Sequence, residues 1–138
     1  MKISSIMTKR VVTVGMDDSL RKIAEIFSKT KFHHVLVIED NKLCGVISDR
    51  DLLKASSPFL YSLSELPRDL ETLNKKAHKM MSTKPITVTK ETNLNDAVEL
   101  LLQKNISCLP VTSPDGQIEG IVTWKDLIMA YLKKLDAA

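Results

Sequence analysis

Two segments of this chain, GVISDRDLLKA at 45–55 and GIVTWKDLIMA at 120–130, are written to one pattern seventy-five positions apart. A repeat of this kind constrains the fold more than any single motif. Both copies must build the same unit, and a unit of that size leaves a sheet face open that its twin can cover. Displaced by 74, Met7 falls on Met81, Thr13-Val14 on Thr87-Val88, Leu20 on Leu94 and Val37 on Val111. One extra residue in the 112–117 turn changes the displacement to 75, which brings Gly45 onto Gly120, Ser48 onto Thr123, Asp51 onto Asp126 and Ala55 onto Ala130. The correspondence runs for about fifty residues in each copy, so the chain is one unit written twice.

Each copy divides into the same elements. VVTV (11–14) and residues 86–88, ITV, are short β-branched runs that predict a first strand. Asp17-Asp18-Ser19 and the 92–95 cluster TNLN are helix-capping chemistry. Beyond them Leu20, Ile23, Ala24, Ile26 and Phe27, and then Leu94, Ala97, Val98 and Leu101, recur at the three-and-four spacing of an amphipathic helix. HVLVIE (34–39) and CLPVT (108–112) predict a second strand, and LCGVIS (43–48) and IEGIVT (118–123) the strand that returns beside it. The 39–42 and 113–116 turns join them, with Asp115-Gly116 the stronger hairpin signal. DLLKA and DLIMAYLKKL open the closing helix. The expected fold class is α/β (α+β), with β-α-β-β-α in tandem and the copies packed as one pseudo-two-fold domain. Residues 1–56 form the first repeat, 57–76 a connector and 77–138 the second repeat. In the connector Leu70, Leu73 and Ala77 suggest a helix leading into the second copy.

Bulk properties narrow the function classes. Hydrophobic residues at 43% against 27% charged are the balance of a chain that folds. The net charge of +3 is spread along the whole length, with no basic block to neutralise a run of phosphates, so nucleic acid is not an expected partner. The opening MKISSIMTKRVVTV lacks the apolar core of a signal peptide, and no stretch is long and apolar enough to span a bilayer; the expectation is a cytoplasmic protein without membrane attachment. Cys44 and Cys108 lie in apolar strand-like surroundings without metal-ligand spacing, which predicts reduced, packed thiols and no metal site. His33-His34 sit next to each other on a predicted strand, pointing to opposite faces, so the pair is poorly suited to hold one ion. Met80-Met81 read as core filler, and Lys75, Lys76 and Lys79 as a solvated face.

The tandem unit, with glycine, an apolar residue and [Ser/Thr]-x-x-Asp leading into the last helix as GVISDRD and GIVTWKD, resembles the CBS domain pair, or Bateman module. The resemblance covers nearly the whole chain, so no attached enzyme or transporter is expected. The Leu-rich connector and NKKAHKMM are similar to the small stand-alone pairs of the acetoin-utilisation type. It implies a regulatory sensor that binds adenosine-containing molecules in two clefts between the repeats, the motif Asp holding the ribose hydroxyls and the Ser or Thr lying near the phosphate. Carried onto this chain, one cleft joins Ser48, Arg50 and Asp51 to Thr87, Val88, Ser107, Leu109 and Pro110. The other joins Thr123, Lys125 and Asp126 to Thr13, Val14, His33, His34 and Leu36. Leu36 stands where the family usually has the proline that the second copy keeps as Pro110. The ligands implied are AMP, ADP or ATP, with NAD and S-adenosylmethionine sharing the same adenosine. The partners implied are a second copy, in a flat homodimer made through helices, and an effector protein that reads the change.

These residue types suit that chemistry. A carboxylate accepts from two vicinal hydroxyls at once, with charge assistance that an amide lacks. Ser48 and Thr123 stand where a strand hands over to a helix and free backbone N–H groups favour an anion, with Arg50 and Lys125 in reach of the same phosphate. Val88 and Leu109 are the expected apolar flanks of the adenine, which is expected to be read mainly by backbone groups. A satisfied structural histidine is the commoner outcome for such a pair; the resemblance implies that one of the two is a phosphate neighbour, whose charge would respond near neutral pH. The same [Ser/Thr]-x-x-Asp spacing also serves a helix capping box that needs no ligand. Recurrence in a CBS-like frame favours a ligand for at least one cleft. The alternatives are a ligand-free homodimeric interaction module and an enzyme. Against the enzyme, the chain offers no Ser-His-Asp or Cys-His constellation in a plausible pocket and no Gly-rich phosphate loop, so no catalysis is expected.

Overall fold

Val35, Leu36 and Val37 are consecutive and all buried, as in a strand covered on both faces, and that strand organises the first repeat. In the computed structural model, which describes residues 1–137, the strand is β2 (His34–Glu39). β1 (Thr13–Gly15) runs parallel to it on one side and β3 (Lys42–Ser48) antiparallel on the other. The two-residue turn between β2 and β3 places Asp40 and Asn41 at φ 52° and 63°; with both in the left-handed region the turn's twist matches that of the strands it joins. Between β1 and β2 lies α1 (Leu20–Lys29), opened by Ser19, whose hydroxyl accepts the Lys22 N–H at 3.2 Å, and buried through Leu20 and Ile23. β3 passes directly into α2 (Asp49–Ala55).

The connector continues as α3 (Pro67–Glu71), a 3-10 turn at Thr72–Asn74 and α4 (Ala77–Met80), not as the single helix expected from Leu70, Leu73 and Ala77. The reason lies in the backbone partners. The Lys75 carbonyl accepts the Leu20 N–H at 2.7 Å, and the Ala77 and His78 amides donate to the Asp18 and Met16 carbonyls, so this stretch is tied to the head of α1. β4 (Ser82–Thr83) then pairs antiparallel with β3 and completes a four-stranded sheet in the order β1-β2-β3-β4. Val14, Ile23, Val35, Val37, Ile47 and Ala77 form its core, with Met80 and Met81 packed against it.

The second unit repeats the plan. α5 (Leu94–Lys104) is followed by β5 (Cys108–Thr112), β6 (Ile118–Thr123) and α6 (Trp124–Asp136), with β5 and β6 antiparallel. The expected strand at 86–88 contracts to one parallel bridge, in which Val88 donates to the Pro110 carbonyl and accepts from the Thr112 N–H. At the far edge Thr8 exchanges both backbone hydrogen bonds with Ile121 at 2.9 Å. The core holds Ile3, Val88, Leu94, Ala97, Leu101, Leu109, Val111, Val122, Leu127 and Ala130.

The compact units are therefore not the sequence repeats. One is Val12–Lys84; the other joins Met1–Val11 to the chain from Pro85 onward. The lead-in of each repeat packs with the other repeat's sheet: β4 and Met81 beside β3, Thr8 and Met7 beside β6. Each opening glycine marks that crossing. A Cβ on Gly45 would stand 2.8 Å from the Ser82 carbonyl and collide with the Met81 side chain. A Cβ on Gly120 would stand 2.8 Å from the Thr8 carbonyl and 3.0 Å from the Met7 sulfur.

Candidate functional site

The handover from β3 to α2 is closed by a reciprocal pair of hydrogen bonds. Ser48 accepts the Asp51 N–H through Oγ at 3.1 Å, and Asp51 Oδ2 accepts the Ser48 N–H at 2.9 Å. The capping box is thus formed, and it uses one carboxylate oxygen. Asp51 Oδ1 has no partner among the described residues. A carboxylate oxygen carries two lone pairs, so the group that caps the helix keeps acceptor capacity for a diol.

The second motif is built differently. Asp126 Oδ2 accepts both the Thr123 N–H at 3.0 Å and the Thr123 hydroxyl at 3.3 Å, so the hydroxyl donates to the acid instead of capping the helix. The other oxygen, Oδ1, takes the Thr8 hydroxyl at 3.4 Å. Arg50 and Lys125, the middle residues of the two motifs, are both exposed.

Both histidines lie beside the first motif within its own unit. A bulge between Val37 and Ile38 shifts the β2–β3 register so that His34 faces Ser48. The Asp49 N–H donates to the His33 carbonyl at 2.9 Å, and the His33 ring meets the Asp49 carboxylate through Nδ1 at 2.9 Å. Desolvation pushes the Asp49 carboxyl up, but the hydrogen bond to His33, the Arg50 amide and the field of both histidines outweigh it and hold the group below its ordinary value. Burial pushes the His34 imidazole below its ordinary value, and His33 adds to that; the Asp49 and Asp51 carboxylates pull the other way.

The remaining expected residues divide by exposure. Thr13, Thr87 and Ser107 present exposed positions at or just before the inner strands. Val14, Leu36, Val88, Leu109 and Pro110 are buried, and Val88 and Leu109 are members of their unit's core. Side chains so committed have little apolar surface left to flank a base. Two residues that took no part in the sequence reading bear on the motifs, Asp49 and Thr8. Asp49 was legible as the acid inside GVISDRD, whereas Thr8 comes from the exchanged lead-in and carried no sequence signal. No group of three His, Cys, Asp or Glu residues is placed to hold a metal ion among the described residues, and no helix there is long and apolar enough to cross a membrane.

Comparison with known proteins places this geometry in context. The CBS domain model matches twice, over residues 3–58 and 77–133. An uncharacterized protein of Methanocaldococcus jannaschii is 33% identical, over 96% of this chain and 92% of its own length. Among solved structures, the CBSX2 protein of Arabidopsis thaliana in complex with AMP superposes with a TM-score of 0.78 at 31% identity, covering 96% of each chain. A putative acetoin utilization protein of Vibrio cholerae shares the fold, with a TM-score of 0.79 at 23% identity over 99% of this chain and 93% of its own.

Proposed function

We propose that this chain, which belongs to the CBS domain family, is a regulatory module that binds an adenosine-containing ligand through its two strand-to-helix motifs. The observation that carries the reading is the Asp51 carboxylate, which caps its helix with Oδ2 and keeps Oδ1 for a ribose diol. The 31% identical AMP complex supports the same ligand class. The binding residues on this reading are those of the first motif, Ser48, Arg50 and Asp51, with His33 and His34 beside it, and those of the second, Thr123, Lys125 and Asp126, together with Thr13, Val14, Thr87, Val88, Ser107, Leu109 and Pro110. Because Val88 and Leu109 are core residues, the base is read by backbone groups more than by their side chains. AMP, ADP, ATP, NAD and S-adenosylmethionine all carry the part that the carboxylate recognises.

No catalytic step is assigned to the module, and its proposed setting is the cytoplasm. Ligand binding shifts the population between two states of the module by no more than the ligand's preference for one of them, and an effector protein reads the shift.

A homodimer is the proposed assembly. On α6, Ile128, Leu132 and Leu135 recur at helical spacing with Met129 beside them, all exposed, and Leu102 is exposed on α5. This stripe also favours the second reading, an interaction module that dimerises without a ligand. Thermal unfolding separates the two. A ligand bound only by the folded chain raises its stability by about 2.7 kcal/mol at a hundredfold excess over Kd. The sensor reading expects a rise with at least one of the five ligands, reduced in Asp51→Asn or Asp126→Asn. An unchanged midpoint with all five at millimolar concentration leaves the interaction module.

A further inference from the structure

The two motif carboxylates are equivalent in sequence and unequal in the structure. Asp51 spends one oxygen on the Ser48 N–H and takes no bond at Oδ1 from the described residues. Asp126 accepts three in-chain donors, the Thr123 N–H and hydroxyl on Oδ2 and the Thr8 hydroxyl on Oδ1. The third donor arrives with the exchanged lead-in. Thr8 is fixed at the edge of β6 by both of its backbone bonds to Ile121, which keeps its hydroxyl within reach of Asp126. Its counterpart in the other unit, Ser82, pairs with Val46 at the same place on β3, yet no Ser82 hydroxyl bond reaches Asp51.

We propose that Thr8 is a specificity-determining residue of the second motif: its hydroxyl occupies the Asp126 oxygen that a ribose diol needs, so the Asp51 motif is the tighter adenosine site. This rests on the ligand reading above. A diol arriving at Asp51 meets an open acceptor, whereas one arriving at Asp126 must compete with a neutral hydroxyl for an oxygen that has less acceptor capacity left. At 3.4 Å that bond is long, so the handicap is modest and graded and leaves the second site usable. Two sites of different affinity report over a wider range of ligand concentration than two equal ones. The first fills at low ligand, and the second responds when the first is saturated.

The test is calorimetric titration of AMP into the full chain. In wild type, Asp51→Asn weakens the tightest binding step more than Asp126→Asn does. In an Asp51→Asn background, where the second motif remains, Thr8→Val keeps the β-branched shape and removes the hydroxyl. It is expected to tighten AMP binding about two- to tenfold, the equivalent of one net hydrogen bond. Thr8→Ser, which restores a hydroxyl, returns the affinity to that of the Asp51→Asn parent, a response that mere loosening of the β6 edge would not give. Circular dichroism and the unfolding midpoint check each variant's fold, and Thr8→Ala replaces Thr8→Val if the latter fails to fold. Unchanged affinity in Thr8→Val, or a tightest step that depends on Asp126, overturns the inference while leaving the ligand reading standing. Wild type that takes up none of AMP, ADP, ATP, NAD or S-adenosylmethionine overturns both.

Discussion

The carbonyl oxygen of Thr8 lies 2.8 Å from where a Cβ on Gly120 would be, so the glycine that opens the second motif exists to let the other repeat's lead-in pass. Gly45 stands in the same relation to the Ser82 carbonyl at 2.8 Å. In both cases the obstacle is backbone that is itself hydrogen-bonded into the sheet. Gly45→Ala and Gly120→Ala are therefore expected to destabilise by about 1–3 kcal/mol, the range for forcing extra volume into a packed site. Gly116→Ala is the contrast. Its φ is 85° with nothing within 4 Å, so only left-handed strain of about 1 kcal/mol applies. Urea denaturation at unchanged m-value ranks the three; equal costs at Gly116 and Gly120 would argue against the close crossing.

Ser48→Ala removes the hydroxyl that accepts the Asp51 N–H and is expected to cost about 1 kcal/mol, as N-caps do. Thr123→Val removes a hydroxyl that donates to Asp126 at 3.3 Å, so it should cost less. Chemical unfolding of the two variants side by side checks the order.

Acid sensitivity follows from two groups in two windows. The Gly15 N–H donates to Asp18 at 2.7 Å, and with Lys22 it outweighs desolvation and holds the Asp18 carboxyl below its ordinary 3.8. The unfolded chain then binds the proton first, so the stability Asp18 contributes is complete above that value and lost as pH falls through the folded one. His34 has the same sign at higher pH, because burial depresses it below 6.5 and the unfolded chain gains its proton sooner. His34→Gln should flatten the stability profile just below pH 6.5, and Asp18→Asn below pH 3.8. A profile unchanged by either substitution contradicts the assignment.

The His33–Asp49 pair measures 2.9 Å but both side chains are more than half exposed. Solvent screening limits such a pair to less than about 1 kcal/mol. His33→Ala should leave the unfolding midpoint nearly unchanged, and a loss comparable to Ser48→Ala would show that the pair does more than sit at the surface.

Local chemistry carried most of the fold. His34–Glu39, Cys108–Thr112 and Ile118–Thr123 were legible because short runs rich in β-branched and apolar residues, bounded by turn residues, favour strands. Ser19 was legible as a cap for the same local reason. Long-range partners were not. A two-residue turn at Asp40-Asn41 predicts a regular register, but the bulge at Val37/Ile38 moves it by one and brings His34 opposite Ser48 and His33 to Asp49. Met7 and Met81 were visible as equivalents, yet nothing in either copy says that each packs on the other repeat's glycine. The connector broke the helical pattern because the Lys75 carbonyl and the Ala77 and His78 amides found partners at the head of α1. At the motifs, spacing alone left cap and ligand site as alternatives; the structure shows one carboxylate oxygen capping, and in Asp51 a second that is open.

The most direct test of the central claim is an amide 15N–1H titration of the full chain with AMP. The account predicts saturable shifts centred on Ser48, Asp49 and Asp51, with Thr123 and Asp126 responding at higher AMP and the buried core amides of Ile23 and Leu101 unmoved. Spectra in which Ser48–Asp51 stay unshifted at millimolar AMP, or shift identically in Asp51→Asn, would contradict it.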